Sequence, residues 1–408
     1  MRAPNPRHLE DPAADAGHFL FRLGLAVLVV ALPVASVMSR RLMFTLLPVG
    51  ALMMIAGVML ATSERILPNV RAVLMRPAAI AALVFTGWVA ASMLWSPFPG
   101  PASGRAFKSV ATIALVALAI TLMPRRTRTS NLYLPPIGAG LAALAAIAVW
   151  LLRPMEIAPF ELEANLPERA GLMLAVLVWP ALGALAVRQR KSAAGLLAAT
   201  VVVAAYAVDS AVALVALGAG ALAFGLTFAR PALAGRALGA TFALLLLAAP
   251  ALVIGADRMI PFNLAPEPLG VWAQLIEGQG LRLLSGHGFD AAARGLLTGY
   301  LSSEGPRHAL FALWFDLGLA GALLGGFLLL RAFTFASVQP HPLSAFMIGG
   351  LTSIVVVAIA SPASYQLWMA TIVCVAALSF AAAIRGQYRT LRPAAASARF
   401  TDAPTPAL

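Results

Sequence analysis

The sequence predicts an all-α, polytopic integral membrane protein with about twelve transmembrane helices and one long loop on the outer side. Hydrophobic residues make up 61% of the 408 residues, charged residues only 11%, and the mean hydropathy is +0.88. A soluble domain is roughly half apolar and a quarter charged, so a soluble fold of this composition would expose large apolar patches. The apolar residues also fall into runs of about 20, the length that spans a bilayer core.

The chain reads as a single transmembrane domain, residues 1–408, without a convincing internal repeat. The first apolar run is interpreted as a retained first helix rather than a cleaved signal peptide. The pair 193–208 and 210–228 is short for two spans and long for one, because only Asp209 and Ser210 separate the two runs. The predicted spans are 18–38, 42–62, 78–95, 107–123, 135–152, 169–187, 193–208, 210–228, 237–256, 309–330, 342–360 and 364–384.

The distribution of basic residues predicts the orientation of these spans. The net charge is +13, but the basic residues lie in small clusters between apolar runs and form no continuous stripe, which argues against nucleic acid as a partner. Most of them fall on one side when the spans alternate, which by the positive-inside rule is the cytoplasm. Both termini are then cytoplasmic, and we expect the tail 385–408 to be disordered. The outer side receives the acidic segment 153–168 and the long loop 257–308, where two short helices are expected.

Four groups of polar residues at the span ends are candidates for function. Arg169 opens a span at the outer surface; it is either an anchor that reaches to lipid headgroups or a clamp for phosphate, to which guanidinium offers a rigid donor fork. Asp209 and Ser210 form either a plain turn or part of a proton path. The other two groups lie in and after the long loop.

The segment SGHGFDAAARGL, residues 285–296, is the first of them. Its glycines permit a tight backbone, and His287 lies between them. Asp290 and Arg294 are four residues apart, so on a helix they share a face and pair, whether for structure or for binding.

The second is the return of the loop into the membrane. His308 stands at this point, and Asp316 lies two helical turns deeper on roughly the same face. A histidine here is either a polar group at the interface or a proton acceptor, since its ordinary pKa is near neutrality. Arg282 and Arg307 are further cations of the same loop.

Several common chemical signatures are missing from the sequence. It contains no HExxH, no CxxC, no Walker loop and no GxSxG, and Cys374 is the one cysteine. We therefore expect no cofactor and no metal, so that an enzyme of this sequence would use arginines and a histidine.

Three segments together resemble the O-antigen ligase and polymerase family of bacterial membrane glycosyltransferases. They are ERAGLMLAVLVWPAL from residue 168, LLSGHGFDAAAR from residue 283 and PRHALFALWFDLGLAGALL from residue 306, in the family's order and around its long outer loop. The motifs cover about 165–330. The sequence departs from the family pattern at Ala309, where asparagine is common, and at Asp316, where glutamate is common.

The resemblance implies a GT-C-like fold in the bacterial inner membrane and a metal-independent transfer on the periplasmic side. The donor would be a glycan on undecaprenyl diphosphate, and the acceptor a lipid A core sugar or another glycan chain; polysaccharide assembly proteins are possible partners. Arg169 and Arg294 would hold the diphosphate with help from Arg282 or Arg307, His287 would assist binding, and His308 would be the base. Asp290 or Asp316 would orient these groups.

Three alternatives stay open from sequence alone. A polymerase of the same family would differ only in its acceptor. A polysaccharide transporter fits the charge asymmetry equally well, although its spans would be expected to carry more ionisable residues. A membrane scaffold without enzymatic activity is the third.

Overall fold

The computed structural model describes residues 12–61, 66–152, 166–228, 230–260, 267–278 and 280–388. Eleven helices in these ranges are long and apolar enough to cross a membrane. This confirms the prediction of a largely helical, multi-pass membrane protein. Most of the acidic outer segment, residues 153–165, lies outside the described residues.

The first half of the chain forms eight helices. A π-helical turn, Val27–Ala31, joins the first two into one span. The helices are α1 (Pro12–Ala26), α2 (Leu32–Met38), α3 (Arg40–Ala61), α4 (Ile66–Leu74), α5 (Pro77–Ser92), α6 (Pro99–Leu122), α7 (Leu134–Leu152) and α8 (Leu166–Val187).

The second half contains five further spanning helices, one shorter apolar helix and the three short helices of the long loop. They are α9 (Lys191–Ala207), α10 (Ala211–Phe228), α11 (Pro231–Met259), α12 (Glu267–Gly278), α13 (Arg282–Ser285), α14 (Ala291–Thr298), α15 (Ala309–Ser337), α16 (Leu343–Ala360) and α17 (Leu367–Ile384).

The ambiguous run 193–228 is two helices, not one. A sharp turn with Asp209 at φ 53° separates α9 from α10. The 17 residues of α9 are fewer than those of the eleven spanning helices, which explains why the described count is one below the predicted dozen.

Helix α8 forms the centre of the bundle, and 83% of the residues in its most apolar stretch are buried. It packs against α7, α9, α16 and α17. On its inner face the indole Nε1 of Trp179 donates to Ser353 Oγ at 2.8 Å, and that hydroxyl donates to the carbonyl of Ala216 at 2.8 Å. Gly220, Gly349 and Gly350 leave room for the indole, since a Cβ on any of them would meet its ring. A buried indole thus has both space and a hydrogen-bond partner.

Glycines bring α1 and α3 into close antiparallel contact. A Cβ on Gly17 would lie 2.6 Å from the carbonyl oxygen of Gly57, and a Cβ on Gly24 would lie 2.6 Å from that of Gly50. The two pairs are seven residues apart on each helix. Such small-residue pairs let helix backbones approach where lipid provides no hydrophobic drive for association.

One short parallel sheet modifies the all-α prediction. Strand β1 (Arg126–Arg128) pairs with β2 (Gly386–Tyr388), with Thr127 opposite Gln387. The prediction that the tail is disordered from residue 385 is therefore wrong for Gly386–Tyr388, because their backbone is paired with the α6–α7 connection. Residues 389–408 lie outside the described part of the chain.

The long loop begins later in the chain than predicted and ends at His308 as predicted, and the helix after it is longer than predicted. Helix α11 continues to Met259, and α15 extends to Ser337 rather than residue 330. Inside the loop, α12 and α14 confirm the two short helices that were expected, and α13 is a further single turn. The loop is thus a folded layer of short helices across one end of the bundle.

Candidate functional site

The long loop between α11 and α15 is attached to a break in α15. Gly318, with φ 62° and ψ −158°, interrupts the helix, so the carbonyls before it lose their usual helical donors. The loop and α5 supply replacements: the backbone N–H of His287 donates to Phe315 O at 2.8 Å, and Trp88 Nε1 donates to Leu317 O at 3.1 Å. The N–H of Gly288 donates to Asp316 O at 2.9 Å. Every carbonyl freed by the break at residues 315–317 is therefore satisfied.

Two glycines make this contact possible. Gly286 has φ 74°, and a Cβ there would lie 2.2 Å from the carbonyl oxygen of Asp316. A Cβ on Gly318 would lie 2.6 Å from the amide nitrogen of Gly286. The loop backbone therefore lies directly on the helix backbone, which only glycine permits at these positions.

The side chain of Asp316 fixes the start of α14. Its carboxylate accepts the N–H of Asp290 at 3.0 Å and that of Ala292 at 2.7 Å, and the residue is only 6% exposed. These two N–H groups belong to the first turn of α14, which has no helical acceptors for them. Asp316 thus caps a helix from another part of the chain and holds Asp290 in its left-handed conformation, φ 67°.

Asp290 in turn binds two arginines. Its buried carboxylate pairs with Nη1 of Arg105 on α6 and with Nε of Arg294 on α14, the latter at 3.2 Å. The Arg105 and Arg294 side chains remain 24% and 43% exposed. The predicted pairing of Asp290 with Arg294 is confirmed, and Arg105 is an additional partner 185 residues away in sequence.

The connection between α16 and α17 closes the cluster from the other side. Nη2 of Arg105 donates to the carbonyl of Tyr365, and its guanidinium lies 5.6 Å from the centre of that ring. Ser364 Oγ accepts the N–H of Ala309 at 2.8 Å, and Ser361 Oγ donates to Glu168 at 2.8 Å. This one connection therefore contacts α6, α8 and α15 at the same end of the bundle.

An apolar groove of about 550 Å³ runs from Arg105 into the bundle between α5, α6, α16 and α17. Arg105, Ser364, Tyr365 and Gln366 line its polar end, and Ile113, Val373, Cys374 and Ala377 line its deep end. The eight residues from Arg105 to Ile113 correspond to about 12 Å along a helix. A smaller cavity of about 180 Å³, which includes Asp316, shares Phe85, Arg105, Phe289 and Tyr365 with the groove.

A second, polar cavity of about 330 Å³ lies on the other side of the start of α15. Glu267, Glu304, Arg307 and His308 are among its lining residues. Trp272, which is buried, packs edge-on against His308 with ring centres 5.5 Å apart. His308 and Asp316, although on one helix, therefore line different cavities.

His308 begins α15 and is hydrogen-bonded to it. Its Nδ1 accepts the N–H of Phe311 at 3.2 Å, so that a neutral ring carries its proton on Nε2. Burial lowers the pKa of His308 to about 4, which makes the ring neutral at pH 7. The lone pair that would take a proton is thus occupied by the helix cap.

The described contacts link none of the remaining predicted site residues to the carboxylate of Asp290. Arg169 is 2% exposed and donates from Nε to the carbonyl of Ser36 at 3.0 Å, so it is not a headgroup anchor, and it does not line the groove. His287 stacks on Phe315 with ring centres 4.0 Å apart, and burial lowers its pKa. Arg282 is exposed at the start of α13, and Arg307 donates to Ser303 O at 2.9 Å.

Sequence reasoning missed Arg105, Tyr365 and the serines of α5 and its C-terminal turn. Ser92 Oγ accepts the N–H of Phe289 at 3.1 Å, and Ser96 Oγ donates to its carbonyl at 3.0 Å. Arg105 was visible only as a cation on the predicted outer side; nothing local linked it to Asp290.

The fold and the site define a multi-pass membrane protein in which Arg105, paired with Asp290, stands at the polar end of an apolar groove. Among the residues that the structure describes, no three His, Cys, Asp or Glu side chains are grouped so that they could hold a metal ion. Comparison of the chain with protein-family models, curated proteins and solved structures found no match.

Proposed function

We propose that this chain is a metal-independent membrane glycosyltransferase, similar to the O-antigen ligases. It transfers a glycan from a lipid diphosphate to a lipid A core or another glycan acceptor. The observation that carries the proposal is the groove below Arg105. Its polar end suits a charged headgroup, and its apolar end suits a hydrocarbon tail. An undecaprenyl diphosphate has both parts.

The lipid chain of the donor occupies the apolar part of the groove in this proposal. In α5 and α6, which form one wall, only 11% and 17% of the residues in the most apolar stretch are buried. The groove therefore lies beside lipid rather than inside the protein core. A polyprenyl tail can therefore enter from the bilayer while its diphosphate stays at the polar end.

The diphosphate is received by the two arginines bound to Asp290. Arg294 uses only Nε for Asp290, and the described contacts leave its other four N–H groups without a protein acceptor. Guanidinium N–H groups held in place beforehand stabilise the negative charge that builds on a phosphate leaving group. Asp290 and, behind it, Asp316 are positioning residues in this arrangement.

The acceptor glycan occupies the polar cavity lined by Glu267, Glu304 and His308. The bond between the anomeric carbon and the diphosphate oxygen breaks, and the lipid diphosphate leaves with the electron pair. A new bond forms from the anomeric carbon to the acceptor oxygen. The proton of that hydroxyl passes to Nδ1 of His308, which requires that the Phe311 N–H turn away.

The proposed topology has twelve spans, α9 included, in the bacterial inner membrane. Both termini are cytoplasmic and the α12–α14 layer is periplasmic. The predominance of arginine at the ends of the bundle opposite that layer supports this orientation.

The proposal is tested with the purified full-length chain in liposomes, supplied with an undecaprenyl-diphosphate-linked glycan and a lipid A core acceptor. Arg294→Gln is expected to lower the rate of transfer by about 100-fold or more, as removal of a preorganised donor does elsewhere. Arg258→Gln is the matched control, because Arg258 also pairs with a carboxylate of the loop layer, Glu277, but both partners are exposed.

A product without lipid A core, formed by extension of the glycan itself, would assign the chain to the polymerases. Movement of the donor across the bilayer with no transfer product, unchanged in Arg294→Gln, would overturn the proposal in favour of a transporter.

A further inference from the structure

A small basic cavity lies at the end of the bundle away from Asp290. Arg105 lies in the second turn of α6, and that helix ends at Leu122, about 26 Å further by helical rise, where β1 follows it. There α1, β1 and the turn after β1 enclose about 100 Å³. That volume corresponds to about three water molecules, which is room for a compact polar group and not for a sugar chain.

The lining of this cavity is rich in positive charge. Arg22, Arg126, Arg128 and His18 all contribute to it, and none of its described lining residues is acidic. Within the described chain, none of these three arginines forms an ion pair. Clustered arginines without counter-charges are electrostatically unfavourable, and an anion between them would relieve the repulsion.

The surface around the cavity adds to this field. Burial and the nearby charges of Arg125 and Arg76 lower the pKa of Arg385, at the end of α17. Arg385 donates from Nη2 to the carbonyl of Ile120 at 3.0 Å, so this cation stands fixed beside the end of α6.

Two buried polar side chains in the lining have unused hydrogen-bonding atoms. Thr127 and Asn131 are each 4% exposed, and both line the cavity. Thr127 Oγ1 and Asn131 Oδ1 have no hydrogen-bond partner among the residues that the structure describes. A buried polar atom without a partner costs free energy, so such atoms beside a cavity indicate a ligand or water that satisfies them.

We propose that this cavity binds a ligand that has both a phosphate group and a hydroxyl group. The arginines and the Thr127 hydroxyl donate to the phosphate oxygens, and Asn131 Oδ1 accepts from the ligand's hydroxyl. The site is independent of the transfer reaction proposed above.

An anionic lipid such as phosphatidylglycerol and free inorganic phosphate share this chemistry. The surroundings favour the lipid, because Phe19 and Leu23 of α1 flank His18 and Arg22 in sequence and are 69% and 40% exposed. Acyl chains of a lipid whose headgroup fills the cavity would cover them. Basic pockets beside membrane helices are suited to anionic headgroups in this way.

The test is a native mass spectrometric titration of the full-length protein, in neutral detergent, with phosphatidylglycerol. Arg126→Gln combined with Arg128→Gln is expected to weaken binding of the first lipid about tenfold or more, because each substitution removes the attraction of one juxtamembrane arginine for an anionic headgroup. Arg71→Gln, an exposed arginine on α4 outside the cavity, should change that affinity less than twofold.

Thr127→Val gives a readout that a merely structural threonine would not give. Because its hydroxyl has no partner in the described part of the chain, the valine variant should melt no lower than the wild type without lipid, yet bind phosphatidylglycerol several-fold more weakly. Loss of lipid-free stability with unchanged lipid affinity would contradict the proposal.

The source of the phosphate is decided by competition. Inorganic phosphate at millimolar concentration that binds the wild type and displaces the first lipid would assign the site to the free anion. Equal affinity of the wild type and the double variant for both probes would overturn the site altogether.

Discussion

The carboxylate of Asp316 accepts the backbone N–H of Asp290 at 3.0 Å, while the carboxylate of Asp290 is directed to two arginines. The two acids therefore act in series: one fixes the backbone that presents the other. A substitution at Asp316 should therefore change the positions of the Arg105 and Arg294 side chains, although Asp316 contacts neither of them.

Replacing Asp316 by asparagine should destabilise the protein. The amide oxygen can accept only one of the two N–H bonds that the carboxylate takes, and the amide nitrogen cannot accept the other. A buried N–H without an acceptor costs about 1–3 kcal/mol, so the thermal unfolding midpoint in detergent should fall. Glu277→Gln, which removes an exposed ion pair, should change the midpoint little. Equal effects of both variants would refute the capping role.

Gly318→Ala and Gly325→Ala should change stability in opposite directions, although both lie on α15. An alanine at residue 318 would have to adopt φ 62° with its Cβ 2.6 Å from Leu284 O, so we expect a loss of at least about 1–3 kcal/mol. At residue 325 the new Cβ meets only Leu313 Cδ2 at 3.4 Å, and alanine's better helix propensity is worth up to about 1 kcal/mol. Chemical unfolding of the two variants distinguishes them; a neutral Gly318→Ala would show that the break tolerates a side chain.

His308→Asn separates the helix cap from proton transfer. Asparagine keeps an acceptor for Phe311 N–H at a position where it is a preferred cap, but it cannot take a proton. If His308 is the base, glycan transfer should fall by about 100-fold to 10,000-fold with little loss of stability. Near-normal transfer would leave His308 as a cap alone and would require another base.

Stability should depend on pH through His308. Its pKa is about 4 in the folded protein and about 6.5 when unfolded, so between these values the unfolded chain binds more protons. The stability of the native state is then complete above about pH 6.5 and falls toward pH 4, by on the order of 2–3 kcal/mol. His308→Asn should make this decline shallower, while His287, whose pKa is also lowered by burial, retains part of it. A wild-type slope in the variant would show that other groups cause the decline.

What the sequence predicted well were features set by local spacing. The pairing of Asp290 with Arg294 follows from four-residue spacing on a helix, and the position of His308 at the start of α15 follows from the change of hydropathy there. The long apolar runs predicted the spans for the same reason. The run of α9 was ambiguous because its 17 residues are close to the lower limit for crossing a bilayer.

What the sequence could not predict were contacts made by the tertiary fold. Arg105 meets Asp290 only because the start of α6 lies beside the long loop. Asp316 binds backbone N–H groups, which any residue possesses and no motif reveals. Arg169 opens a helix that is apolar on all sides, so periodicity gave no indication that the guanidinium lies in the core, at 2% exposure. Substrate-binding roles for Arg169, Arg282, Arg307 and His287 stay predictions.

The sparse packing of α5 and α6 has a consequence for how a ligand reaches the groove between them. A molecule that enters from the side of the bilayer is already concentrated in two dimensions and oriented with its head at the surface. Occupancy of the groove then follows the mole fraction of that amphiphile in the leaflet rather than its concentration in water. Dilution of the membrane with neutral lipid should thus lower the rate of the proposed glycan transfer, whereas dilution of the liposome suspension should leave the rate per protein unchanged.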